Sequence, residues 1–177
     1  MTTLSVTLVG FKENEEWLKK VANLDLTRWF KDQATPIVRD RLREIIDKGV
    51  DRPRWSPLHP FTKMHKEGRK VMVESERLIR SVTELTSDSI YKVSKDELEI
   101  GSKLPYAGIQ NFGGEIRVTP QMRAFLHWKG LHLKATTDKI TIPARPFLFV
   151  SRTMEQMLNN SLVTYIQGYI RQLQRGD

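Results

Sequence analysis

Residues 89–102 read Ser-Ile-Tyr-Lys-Val-Ser-Lys-Asp-Glu-Leu-Glu-Ile-Gly-Ser. The runs 89–94 and 97–102 both alternate, and only Lys95-Asp96 separates them. Two period-two runs with so short a connection predict a β-hairpin. Far upstream, residues 2–9 alternate through Leu4, Val6 and Leu8 and predict another strand, ended by Gly10. Downstream, 115–119 and 140–142 predict two more. Between these strands lie helical stretches, in the order strand, two helices, loop, helix, hairpin, short helix, strands, helix. That order lacks the regular alternation of a parallel doubly wound sheet. The expected class is α+β: a small antiparallel sheet packed against long helices, with extended loops or arms.

The helices are read from spacing and punctuation. Residues 13–23 predict a short helix with Trp17, Leu18 and Val21 on one side, and Glu13, Glu15 and Glu16 in its first turn suit the helix dipole. Asp25 is placed to cap a longer helix over 25–48, with Trp29, Phe30, Ile37, Val38, Leu42, Ile45 and Ile46 at helical spacing. Pro36 predicts a kink or break near Thr35, and Gly49 a C-terminal stop. Residues 50–67 hold Pro53, Pro57 and Pro60 and resist any regular assignment; Trp55 and Leu58 are expected to pin this loop to the core. A basic helix is expected over 68–81 with Val71, Leu78 and Ile79 inward. A short one is expected from Pro105 through Phe112, with Gly113-Gly114 past its end. Residues 120–139 read as an extended loop, and 151–174 as a closing helix bearing Met154, Leu158, Leu162, Ile166, Ile170 and Leu173.

The chain has 177 residues, no cysteine and a formal charge of +8, with a sequence pI near 9.8. This length fits one domain, 1–177, with a strand and helices over 1–49 and a C-terminal helix over 151–174. Without cysteine, disulfide frameworks and thiolate sites are excluded. No apolar run is long enough to span a bilayer, and the N-terminus lacks a signal-peptide pattern, so a soluble, intracellular protein with no membrane association is expected.

Positive charge is concentrated. In 28–80 it is interleaved with acids, as Arg39, Arg41 and Arg43 with Asp40, Glu44 and Asp47, and reads as a salt-laced face. In 115–152, seven Lys and Arg meet two acids. There Arg117, Arg123, Lys129, Lys134 and Lys139 are candidates to face phosphates, through counterion release rather than base reading; a solubilising surface explains them equally. Chemistry is otherwise scarce. His59, His65, His127 and His132 show no HExxH, and no P-loop, G-x-G-x-x-G or G-x-S-x-G is present. No catalytic, cofactor or metal residue is assigned, and an enzyme is not expected.

Three segments are less generic: Trp55-Ser56-Pro57-Leu58; then Tyr106-Ala107-Gly108-Ile109-Gln110-Asn111-Phe112-Gly113-Gly114; then Ile142-Pro143-Ala144-Arg145-Pro146-Phe147-Leu148. In this order they resemble the phage virion morphogenesis family, the Mu-like tail-completion proteins, whose pattern has a W-x-P-L loop, a Y-A-x-I-H-x-F-G-G segment and an I-P-A-R-P-F-L segment. Gln110 stands where the family often has His, so no role for that histidine transfers. Physically these residues read as structural. Gly113-Gly114 allows positive φ. Tyr106, Ile109 and Phe112 form a stripe expected to face the core. Pro143 and Pro146 fix an extended segment with Phe147 and Leu148 inward. Arg145 has two readings: an ion pair to a neighbouring subunit through its planar fork, or a bond to loop carbonyls of its own chain. With Trp55 it is a candidate subunit or partner contact.

The resemblance implies a noncatalytic protein, assembled in the host bacterial cytoplasm, that completes the tail and joins it to the head in the virion neck. It also implies a homo-oligomeric ring, sixfold or twelvefold, around the DNA channel. Its implied partners are other neck, head-completion and tail-tube or tail-terminator proteins, with DNA touched nonspecifically and no cofactor. The alternative carried by charge is a nonspecific nucleic-acid-binding protein. A nuclease would need clustered carboxylates and a metal.

Overall fold

The computed structural model describes residues 2–7, 24–66, 71 and 76–175. The hairpin forms as read: β2 (Ser89–Val93) and β3 (Glu97–Ser102) pair antiparallel, Val93 opposite Leu98 and Ser89 opposite Ser102. Strand β1 (Thr2–Thr7) pairs with the other edge of β3, so the order is β1-β3-β2. Holding the centre, β3 buries Leu98, Ile100 and Ser102, while Glu97 stays exposed and Glu99 takes the Lys92 ammonium across the ladder at 2.8 Å. A separate ribbon joins β4 (Gly114–Arg117) to β5 (Lys139–Ile142), also antiparallel. The α+β class is therefore observed.

The long N-terminal helix, α1, runs without a break through Thr27–Trp29, Phe30–Ala34 and Thr35–Lys48. Pro36 does not break it. Instead the turn over Phe30–Ala34 widens to π geometry, so that the Thr35 N–H and its hydroxyl both donate to the Phe30 carbonyl. The wider turn makes room for a ring that would press on the carbonyl four residues back. Asp25 sits one residue before the cap position and accepts the Thr27 N–H at 2.8 Å; Gly49, at φ 73°, ends the helix.

Two expectations fail here for local reasons. Within 50–67, Pro60–His65 form a short helix, α2, started by His59, whose Nδ1 accepts the Phe61 N–H, and by Pro60 at the first helical position. The helix expected over 68–81 is not continuous: Glu76 is left-handed at φ 55°, which a helix does not pass through, and α3 runs from Arg77 to Thr83, while 68–70 and 72–75 lie outside the described residues. The expected helix over 13–23, its acids and Gly10 lie outside the described residues.

After the hairpin come α4 (Ala107–Phe112), α5 (Pro120–Trp128) and α6 (Arg152–Arg175). The core is one cluster. Helix α1 gives Trp29, Phe30, Val38, Leu42 and Ile45, and α6 gives Met154, Leu158, Leu162 and Ile166. Helix α3, through Leu78 and Val82, bridges α1 to the sheet. Several buried polar side chains are paired with one another, as burial without a partner is costly. Trp29 Nε1 donates to Ser161 Oγ at 3.0 Å, and Ser161 donates to Gln33 Oε1. Ser81 donates to Ser102 Oγ at 2.8 Å.

Candidate assembly surface

The three sequence segments meet in space. Trp55 Nε1 donates to the Pro146 carbonyl at 3.0 Å, with the Arg52 guanidinium 3.6 Å over its ring. From α4, the Gln110 carbonyl accepts the Arg145 N–H at 2.8 Å, and Asn111 Oδ1 accepts those of Phe147 and Leu148, both at 2.9 Å. Gly113, at φ 72°, lets the backbone at Ala144 approach so closely that a Cβ there would stand 2.7 Å from its nitrogen. Phe147 and Leu148 are buried as expected, locking the 143–148 segment between α4 and the core.

The expected inward stripe on α4 is reversed. Ala107 and Asn111 are the buried residues, while Tyr106 is half-exposed and Phe112 is 73 % exposed. Only Ile109 has cover, with Gly114 of the ribbon against it. The reason is the need to bond the Phe147 and Leu148 amides: that demand turns the short polar Asn111 inward, and the three-residue stripe is carried around to solvent.

The stretch 120–139 is not an extended loop. Thr119 caps α5 by accepting the Met122 N–H at 3.1 Å, and Pro120 takes the first helical position. Gly130 (φ 89°) closes it: its N–H donates to His127 and that of Leu131 to Leu126, the paired bonds of a Schellman turn. The loop that leads into β5 is tied by Arg123, whose guanidinium donates to the carbonyls of Lys134 (2.8 Å), Thr137 (2.6 Å) and, more weakly, Leu133 (3.4 Å). Helix α5 buries no residue. It is the head of an arm, 114–142, that carries Phe125, 55 % exposed, and Trp128, 75 % exposed. Lys129 lies over both rings, at 6.0 and 4.8 Å. Sequence reasoning missed these two aromatics; Thr119-Pro120 and Gly130 were the signal that frames them as a helix.

The other sequence candidates divide. Arg117, Lys129 and Lys134 are exposed, whereas Arg123 is spent on carbonyls and Lys139 pairs with Glu115 at 2.7 Å. Trp55 and Arg145 are 8 and 7 % exposed, so neither offers a broad contact face. The expected bond from the Arg145 guanidinium to loop carbonyls does not form; its Nε is sealed and unpartnered. His127 and His132 meet edge to face at 4.4 Å, and no group of three or more metal-ligating residues exists among the described residues. No helix among them is long and apolar enough to cross a membrane.

No curated protein and no solved structure matches the chain. The sequence model of the phage virion morphogenesis family matches residues 12–167, which includes all three converging segments and the arm. That family is structural and not catalytic, and its members are virion tail components. By this match the chain belongs to the phage virion morphogenesis family.

Proposed function

We propose that the chain completes the tail and joins it to the head in the neck, as a homo-oligomeric ring around the DNA channel. One observation carries this reading beyond the family: the arm holds Phe125 and Trp128 in water on a helix that buries nothing. Large apolar side chains left uncovered on a rigidly tied element mark an interaction site. A closed ring covers such an arm with the next subunit, or stacks it on a neighbouring tail or head-completion protein. Electron microscopy of particles made without this gene product tests the reading. Full heads beside separate tails support it, and joined, intact virions overturn it.

A second reading, nonspecific nucleic-acid binding, is favoured by Lys129 over Trp128 and by exposed Arg117 and Lys134 on the same arm. Aromatic stacking with cationic neighbours suits phosphate-backbone tracking without base readout. A salt titration separates the two. A stand-alone binder holds DNA as an isolated subunit, with affinity falling steeply as salt rises. A ring component presents these cations usefully only once assembled.

A further inference from the structure

Arg145 is a buried cation that no described residue of its own chain neutralises. Among the described residues, three guanidinium Nε atoms are sealed without a hydrogen bond: those of Arg39, Arg41 and Arg145. Two are compensated nearby. Arg41 pairs with Glu44 and Asp51, and Arg39 lies 5.0 Å over the Tyr91 ring. Arg145 has neither a carboxylate nor a ring against it among the described residues, although it is only 7 % exposed. Its Nη nitrogens, equally without hydrogen bonds, are not sealed, so the open end of the fork is the part that meets the surface. Burial accordingly depresses its pKa with no opposing cause.

The surroundings are not loose. The Arg145 N–H is fixed on Gln110, the next carbonyl on Trp55, and the two amides after it on Asn111. A segment so firmly held, around a charge left unpaired, is poor design for folding alone. An apolar side chain of like volume is usually neutral or stabilising at such a site.

We propose that Arg145 is a recessed receptor for a carboxylate side chain from a second copy of this chain, at the head-to-tail contact of the ring. This rests on the ring reading above. The planar fork matches a carboxylate bidentately. A carboxylate on its own flexible stem enters a recess, whereas duplex phosphates meet cations that protrude. A heterologous contact needs socket and complement on different faces of one chain. Asp40, Asp138 and Glu155 are exposed carboxylates that enter no salt bridge among the described residues and so are available as the complement.

The test uses the full chain as wild type, Arg145→Met and Arg145→Lys. Each is followed by the melting temperature of the purified subunit, by cross-linked oligomers in purified protein and in particles, and by rescue of phage lacking the gene. Arg145→Met is expected to melt at the wild-type temperature or a few degrees higher, while its oligomers and rescue fall at least tenfold. Arg145→Lys keeps the charge without the fork, so it is expected to melt as wild type and to rescue partially. A melting temperature lowered by several degrees in both variants makes the arginine an internal brace and overturns the proposal. Normal oligomers from Arg145→Met overturn the socket while leaving the ring intact. Normal oligomers with lost DNA affinity assign the group to phosphate, and normal oligomers with lost attachment of a different neck protein assign it to that partner; either overturns the second-copy occupant. Wild-type particles holding only monomers overturn the ring reading itself, and the socket with it.

Discussion

Asn111 Oδ1 lies 2.9 Å from the backbone N–H of Phe147, and accepts that of Leu148 at the same distance. One side-chain carbonyl thus satisfies two consecutive buried amides and holds the 143–148 segment against α4. Asn111→Ala leaves both donors without a partner in the interior, at a cost of about 2–4 kcal/mol. Denaturant unfolding is expected to show this as a lowered midpoint with an unchanged slope. Asn111→Asp, which keeps an acceptor at the same reach, is expected to lose less.

Gly113 and Gly130 both have positive φ, yet substitution should affect them very differently. At Gly113 the backbone stands at φ 72°, ψ −177°, a region that is nearly glycine-only, and a Cβ would strike the Ala144 nitrogen at 2.7 Å. At Gly130 nothing lies within 4 Å of an added Cβ. Gly130→Ala is expected to cost about 1 kcal/mol from the left-handed backbone alone. Gly113→Ala is expected to cost clearly more, because the 143–148 segment must also shift. Thermal melts of the two variants side by side measure the difference.

The α+β frame was legible because each of its elements is declared locally. The hairpin at 89–102 alternates on both sides of a two-residue connection, Gly49 stops α1, and Gly113-Gly114 takes the positive φ values expected of it. What misled was periodicity read without partners. Tyr106, Ile109 and Phe112 have helical spacing, but nothing in that spacing says which side of a six-residue helix the chain must use; the unpaired amides of Phe147 and Leu148, 36 and 37 residues from Asn111, decide it. Pro36 by itself predicts a kink or break, but the π turn over Phe30–Ala34, which no local signal declares, lets α1 pass. The arm was hidden because α5 has no core face, so the apolar pattern was silent, although its caps were in plain sight. The isolation of Arg145 could not be read at all: counter-ions are a property of tertiary placement.

Arg123 closes the arm on itself by donating to the carbonyls of Lys134 and Thr137. Those bonds join α5 to the loop leading into β5 and touch none of the core cluster. Arg123→Ala is therefore expected to change global unfolding by less than about 1 kcal/mol, within the range of surface substitutions. Amide exchange and proteolytic cleavage within 129–138 are expected to rise sharply. A large loss of global stability would mean that the arm folds cooperatively with the body.

Asp51 draws the Ser151 hydroxyl at 2.9 Å and the Arg41 guanidinium toward one carboxylate, joining the end of α1 to the start of α6. Its carboxyl is held below the usual aspartate range, first by the Ser151 hydrogen bond and then by Arg41. A depressed folded-state pKa contributes stability above the unfolded value, near 3.9, and that contribution is lost as pH falls through the lower folded value. Glu44, Glu84 and Asp88 are lowered in the same direction by their basic partners. Stability is thus expected to be insensitive to these groups at neutral pH and to decline below about pH 4. In Ser151→Ala, which also removes the Met154 cap, the acid limb of the stability curve is expected to be shallower, because the Asp51 pKa moves back toward its unfolded value.

Phe125 and Trp128 stand 6.2 Å apart, one helical turn from each other, with Lys129 over both. Because α5 buries no residue, removing their rings costs the isolated subunit almost nothing; any loss that follows is a loss of contact with something else. The double variant Phe125→Ala, Trp128→Ala is expected to melt within a degree or two of wild type and to fail in completing tails. Charge reversal at Arg117, Lys129 and Lys134 separates the two uses of the arm. If the arm meets only protein, reversal reduces the yield of joined particles. If its cations face DNA, particles still join, but the packaged genome is lost from them on storage at low salt, where phosphate attraction is strongest in the wild type. Arg123 is left out of that set, since its charge is already committed to the carbonyls of Lys134 and Thr137.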